Sequence, residues 1–382
     1  MMPRFGVALG LLLAMQLDLA LAEVLPWTSH DAAPGSSEEK SLWTEADEFD
    51  RALARAGRLN PDPRLGAYVQ GIMDRLYPEF QGQFKLHVIN AQQINAFALP
   101  NGSVYIDTGL IARFQNEAQL ATVLAHEGAH FVHRHSFQQN EQVKSAAALG
   151  LVVAMLGVPL AGDLVALSSM FGYSREHERE ADQVGYQRLA AAGYDARETT
   201  KTFEHLLAEL KASDIKEPFF FADHPKLKER IESFKQLSKE AVGGRVGREE
   251  FILATAGLRL ASFEADLAAY RNKQVILVLA DPERRREYPP EASYYLGEAY
   301  RQRNEQGDSD KAEQQYRMAI EGAPQFAPSY RALGLIYYRR SDMVRAAPLL
   351  NRYLDLAPDA SDREYVETYL AQIAAAQPGP KP

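Results

Sequence analysis

The stretch VLAHEGAHFVHRH, Val123–His135, decides how this chain is read, because four of its nine histidines fall there. Leu120, Val123, Leu124 and Phe131 recur at helical spacings of three, four and seven, which predicts a helix from Glu117 onward. Positions i and i+4 of a helix share a face, so His126 and His130 present their imidazoles to one point. Two imidazoles at that spacing can grip a zinc ion, and Glu127 beside the first can serve as general base toward a metal-bound water. Zinc acidifies such a water, and the matching chemistry is hydrolysis of a peptide bond. The alternative is a solvated helix with two surface histidines, and a third ligand is what separates the two. His133 lies a further turn along and reads as a helix-end histidine near the C-terminal dipole. His135 supports the site or is structural; spacing alone leaves both open.

The third ligand comes 48 residues after His130, in SREHEREAD, Ser174–Asp182. Glu178 and Asp182 are an i,i+4 pair. Glu178 can complete a His-His-Glu site for one zinc ion per chain. Asp182 can accept the other ring N–H of a ligand histidine and so fix its tautomer. Ala181 leaves room for two helices to approach. Glu176 and Glu180 point to the other side and are expected in solvent beside Arg175 and Arg179. His177 is expected at the surface, and His30, His87 and His205 have no assigned role. The chain has no cysteine, which excludes a cysteine nucleophile and any thiolate metal site.

With 382 residues, about two domains and a mostly helical α+β fold are expected. A net charge of −9 without a basic patch argues against a nucleic-acid partner. Residues 1–22 read as a signal peptide: Arg4, an apolar run from Phe5 to Leu17, and a cleavage site at Ala20–Ala22. A polar leader is expected over 23–40 and a metallopeptidase domain over 41–242. Phe84–Ile89 reads as a strand, and Asn95–Leu110 as a hairpin turning at Pro100–Gly102, which together give a small antiparallel sheet. Residues 145–162 carry no charge. They read as a buried helix or as a peripheral membrane contact, and Pro159 argues against a spanning helix. Gly243–Gly247 reads as a linker. A helical repeat domain follows over 249–372. There, SYYLGEAY (Ser293–Tyr300) aligns with YRALGLIY (Tyr330–Tyr337), giving tetratricopeptide-like units at about 291–325 and 327–360. Such repeats supply a concave docking surface for a substrate or partner assembly. A disordered tail is expected over 373–382.

Together, HEGAHFVHRH and SREHEREAD resemble the HtpX-like and CAAX prenyl protease family of zinc metallopeptidases. The exported, repeat-bearing arrangement is similar to that family's soluble BepA-like branch. The resemblance implies His126, His130 and Glu178 as zinc ligands, Glu127 as base and Asp182 as their supporting partner. Arg134 and His135 match the family's Arg-His pair. The family usually has Gly directly before the second histidine; here Ala129 stands there and Gly128 precedes it, so helix packing should adjust slightly. HPKLKERI resembles the family's His-Pro…Arg-Ile segment, which implies His224 near the zinc and Arg230 bracing it. By the same resemblance, Asn95, Ala96, Phe97 and Ala98 lie by an edge strand that binds substrate backbone. The implied activity is cleavage of unfolded or misfolded envelope proteins in the periplasm, near the outer membrane, with the repeats docking an assembly complex. A chaperone or assembly scaffold with latent protease activity is the alternative.

Overall fold

The computed structural model describes residues 24–28, 32–143, 173–213 and 227–376. The fold is α+β and mostly α. Helices α1 (Ser37–Arg55) and α2 (Pro63–Leu76) lead into β1 (Lys85–Ile89), β2 (Ala96–Ala98) and β3 (Ser103–Asp107). The short α3 (Thr108–Ile111) then precedes α4 (Glu117–Val132) and α5 (His135–Val143). After these come α6 (Arg175–Ala191), α7 (Glu198–Ser213) and α8 (Leu227–Leu237). Helices α9 (Arg248–Ala268), α10 (Asn272–Leu279), α11 (Ala292–Arg303), α12 (Asp308–Gly322), α13 (Ala327–Arg339), α14 (Met343–Leu356) and α15 (Arg363–Ala376) complete the chain.

The expected antiparallel sheet is mixed. Its order is β1-β3-β2, with β2 antiparallel and β1 parallel to β3. All five residues of β3 are buried, so β3 takes the centre and needs a partner on each edge. The tight turn seats β2 on one edge, and β1 fills the other. Gly102 makes that turn possible: its φ is +85°, and a Cβ there would stand 2.6 Å from the Gln83 carbonyl oxygen.

Helix α4 is the centre of the peptidase part. Asn116 caps it by accepting from the Gln119 N–H at 3.0 Å, and every residue from Glu117 to Val132 is buried. A helix buried all round needs neighbours on every side. It receives them from α2, β2, α6 and α7. Helix α6, capped by Ser174, lies closest, with Ala181 fully buried in the contact. A Cβ on Gly185 would come 3.0 Å from the His126 backbone nitrogen, so this glycine sets how near the two helices approach.

Three segments differ from expectation. Residues 37–40 of the polar leader are already helix α1, and Glu39 is buried because Arg134 donates to both its oxygens at 2.9 and 2.8 Å. The Arg134 guanidinium also covers Trp27 at 4.4 Å, while the Trp27 N–H donates to the Val132 carbonyl at 2.8 Å. Gly243–Gly247 is no free linker: Arg245 exchanges backbone hydrogen bonds with Gly193 and Asp195 and donates a side-chain N–H to Glu117. The expected tail loses residues 373–376 to α15, where Ile373 is 2% exposed; a hydrophobic face on α14 holds them. Residues 1–22, 145–162, His30, His224 and 377–382 lie outside the described residues. Among the described residues no helix is long and apolar enough to cross a membrane.

From α11 on, helices pack in pairs, α11 on α12 and α13 on α14. Helices α9 and α10 join this region to the peptidase part, α9 against α2, α3 and α4 and α10 against α7. Arg113, just after α3, donates to Ser262 at 2.6 Å and to Asp266 at 3.0 Å on α9, and all three side chains are buried.

Glu117 ties α2, α4, the turn after α6 and the 243–247 segment together. It accepts from Tyr68 at 2.8 Å, Arg75 at 2.8 Å, Tyr194 at 2.7 Å and Arg245 at 3.1 Å. Burial alone would raise its carboxyl, but the Tyr194 and Tyr68 hydroxyls and the Arg245 guanidinium hold it below its ordinary value. A group depressed in the fold stabilises fully above its unfolded pKa, about 4.3, and loses that contribution as pH falls through the lower folded value. Glu117→Gln is therefore expected to lower the thermal midpoint at neutral pH and to flatten its decline toward about pH 3, read by calorimetry across that range.

Candidate metal centre

His126 and His130 stand one turn apart on α4, and Glu178 faces them from the first turns of α6. The two Nε2 atoms are 3.1 Å apart. Glu178 Oε1 lies 3.4 Å from His130 Nε2, and Oε2 lies 3.6 Å from His126 Nε2. All three residues are buried. With metal–ligand distances of about 2.0–2.2 Å, tetrahedral ligands stand roughly 3.3–3.6 Å apart, which is the size of this triangle.

The outer ring nitrogens explain why the inner ones offer lone pairs. His126 Nδ1 donates to Asp182 Oδ1 at 3.0 Å, so its Nε2 carries no hydrogen. His130 Nδ1 meets His135 Nδ1 at 2.9 Å, and His135 Nε2 meets Glu180 Oε2 at 3.1 Å. A proton chain from His130 through His135 to Glu180 thus leaves His130 Nε2 bare as well. Two imidazole nitrogens and a carboxylate converge in one buried site, and that donor set fits zinc. Burial keeps His126 in its neutral, ligating form, with Arg230 acting in the same direction.

Arg230, from α8, lies against Asp182: its Nη2 donates to Oδ1 at 2.6 Å and its Nε to Oδ2 at 3.0 Å. Its Nη1 is 3.8 Å from Glu178 Oε2. Burial would raise Asp182, but Arg230 and the His126 N–H hold it below the usual carboxylate range. Glu127 is fully buried next to His126. A cavity of about 110 Å³ opens beside Glu178, Asp182, Arg230 and Arg175. Residues 95–98 are buried too; β2 is an outer strand of the sheet and packs on α4.

Three neighbours escaped the reading of the sequence. Glu180 is not simply solvated, since it accepts from His133 Nδ1 at 2.7 Å as well as from His135. His177 is buried, not at the surface, because its ring stacks on His135 with centroids 4.5 Å apart. Tyr173 stacks on His130 at 3.8 Å. Helix periodicity puts Glu180 and His177 off the Glu178 face, but it cannot show that the chain after His133 turns back toward them. Arg134, with φ of +59°, makes that turn.

Gly128 explains the altered order of small residues. A Cβ there would fall 2.3 Å from the Tyr77 ring, whose hydroxyl donates to the Ala125 carbonyl at 2.5 Å. Gly128→Ala is expected to destabilise the chain by about 1–3 kcal/mol through overpacking, measured by denaturant unfolding.

Residues 60–238, which contain every one of these side chains, match the family model described as peptidase family M48. Residues 60–238 place this part of the chain in peptidase family M48. Among M48 relatives, the beta-barrel assembly-enhancing protease of Escherichia coli (strain K12) is 29% identical over 228 residues, covering 55% of this chain and 46% of that protein. The mitochondrial metalloendopeptidase OMA1 of Arabidopsis thaliana is 33% identical over 175 residues, 43% of this chain and 36% of that one. The Schizosaccharomyces pombe protein of the same name is 32% identical over 163 residues, 42% and 48%. The chain spans about half the length of the curated relatives it matches.

Proposed function

We propose that the chain is a zinc-dependent endopeptidase that hydrolyses peptide bonds of misfolded or stalled envelope proteins. The buried His126–His130–Glu178 triangle carries this reading, and the names of the E. coli relatives support the substrate class. Zinc held there would supply a Lewis acid for the peptide carbonyl and lower the pKa of water. Glu127 would serve as the general base toward the attacking water and as the acid toward the departing amine. Asp182 holds the His126 tautomer and Arg230 holds Asp182. The outer strand at 95–98 recognises extended backbone by strand addition, which suits unfolded chains of many sequences. His224, which the family resemblance implies beside the metal, lies outside the described residues. The helices beyond Arg248 dock a substrate or an envelope assembly complex, and the working compartment is the periplasm. The test is an unfolded outer-membrane protein offered to the metal-stripped chain, before and after one equivalent of zinc, with the folded protein as control. Cleavage of the unfolded form restored by zinc is expected. Zinc bound without cleavage would favour the scaffold.

A further inference from the structure

We propose that His133, His135 and Glu180 form a second metal site, for a divalent transition ion that takes imidazole nitrogen, and that filling it loosens the first. One ligand atom from each of the three lies within 4.8 Å of the others. Glu180 already meets both rings, His133 Nδ1 at 2.7 Å through one oxygen and His135 Nε2 at 3.1 Å through the other. These separations are a few tenths of an ångström short of a tetrahedral edge, roughly 3.3–3.6 Å. Glu180 can widen them, because its side chain is 46% exposed. His135 cannot move as freely: it is fully buried and stacked on His177 with only 14° between the rings. The site is therefore a fixed imidazole and a largely covered one, with an adjustable carboxylate at its mouth. Imidazole and carboxylate donors suit Zn²⁺ or Cu²⁺ better than Ca²⁺ or Mg²⁺.

The coupling rests on the metal centre proposed above; the second site itself does not. A neutral imidazole has one hydrogen for two nitrogens. When His130 Nε2 binds an ion, its Nδ1 holds the hydrogen and points it at His135 Nδ1, 2.9 Å away. His135 then keeps its own hydrogen on Nε2, directed at Glu180. An ion at the second site needs that Nε2 bare, which moves the hydrogen to Nδ1. Two N–H groups would then face each other across 2.9 Å. Filling both sites forces one ring to turn away, and His130 loses the partner that orients it. Outer partners of ligating histidines are worth about tenfold to a hundredfold in metal affinity or activity.

The full chain loaded with one equivalent of zinc would be dialysed against rising free Zn²⁺, with bound metal counted by mass spectrometry and peptide cleavage followed in parallel. The wild type is expected to go from one ion to two, and its cleavage to fall about tenfold over the same range. His133→Ala and the surface variant Glu180→Gln should stop at one ion. Each variant is compared with its own activity at one equivalent, and neither should lose cleavage as zinc rises. A wild type that stops at one ion while His126→Ala binds none would overturn the second site and leave the first standing. So would a second ion retained by both variants. Two ions bound with cleavage unchanged would overturn the coupling. A single ion kept by His126→Ala and lost by His133→Ala would support the second site and overturn the reading of the first.

Discussion

Glu127→Gln is expected to cut peptide cleavage by about 10²–10⁴-fold, the range for removing a positioned general base. The substitution keeps the volume of a side chain that is fully buried. It leaves His126, His130 and Glu178 untouched, so zinc stoichiometry and affinity should match the wild type. An amide cannot take the proton, so the loss should fall on kcat with KM little changed. Single-turnover cleavage of an unfolded substrate, run beside a zinc count, separates lost chemistry from lost metal. Persistent cleavage by a zinc-loaded Glu127→Gln chain would remove Glu127 from the mechanism. In cells, a variant that retained all function would favour the assembly scaffold over the protease.

The helix-borne parts of the site are legible in the sequence because a helix converts spacing into direction. His126 with His130 and Glu178 with Asp182 follow from i,i+4 alone. What joins the two helices is not local. Nothing in the spacing says that Arg134 turns the chain so that His135 reaches both His130 and Glu180, nor that Arg230 arrives from α8 to meet Asp182. Likewise, a short strand reads the same in a parallel or an antiparallel pair, so the parallel pairing of β1 with β3 is not legible in its residues. Gly243–Gly247 looks like a linker by composition. Gly244 is there because neighbouring backbone comes close: a Cβ on it would stand 2.5 Å from the Tyr194 carbonyl carbon.

Asp182→Asn separates what supports the metal from what supports the fold. Asparagine Oδ1 can still accept the His126 N–H, but the negative charge that strengthens the ligand and answers Arg230 is gone. Zinc affinity is expected to fall about tenfold to a hundredfold. Stability should fall as well, because Arg230 is 5% exposed and its guanidinium would be left short of a partner. Removing one member of a buried ion pair costs about 3–5 kcal/mol. The zinc-free chain should lie at the lower end, since Glu178 at 3.8 Å can take up part of the charge when it holds no metal. Arg230→Met alone strands Asp182 instead and should destabilise similarly. In the double variant Asp182→Asn/Arg230→Met no charge is stranded, so stability should recover much of what each single change loses. Zinc affinity should not recover, because the charge behind His126 is still missing. Denaturant unfolding of the four zinc-free proteins, with zinc affinity measured by chelator competition, reads the two quantities independently. If affinity recovered together with stability, Asp182 would act on the metal only by keeping α6 and α8 in place. If it did not, the carboxylate charge of Asp182 behind His126 itself tunes the ligand.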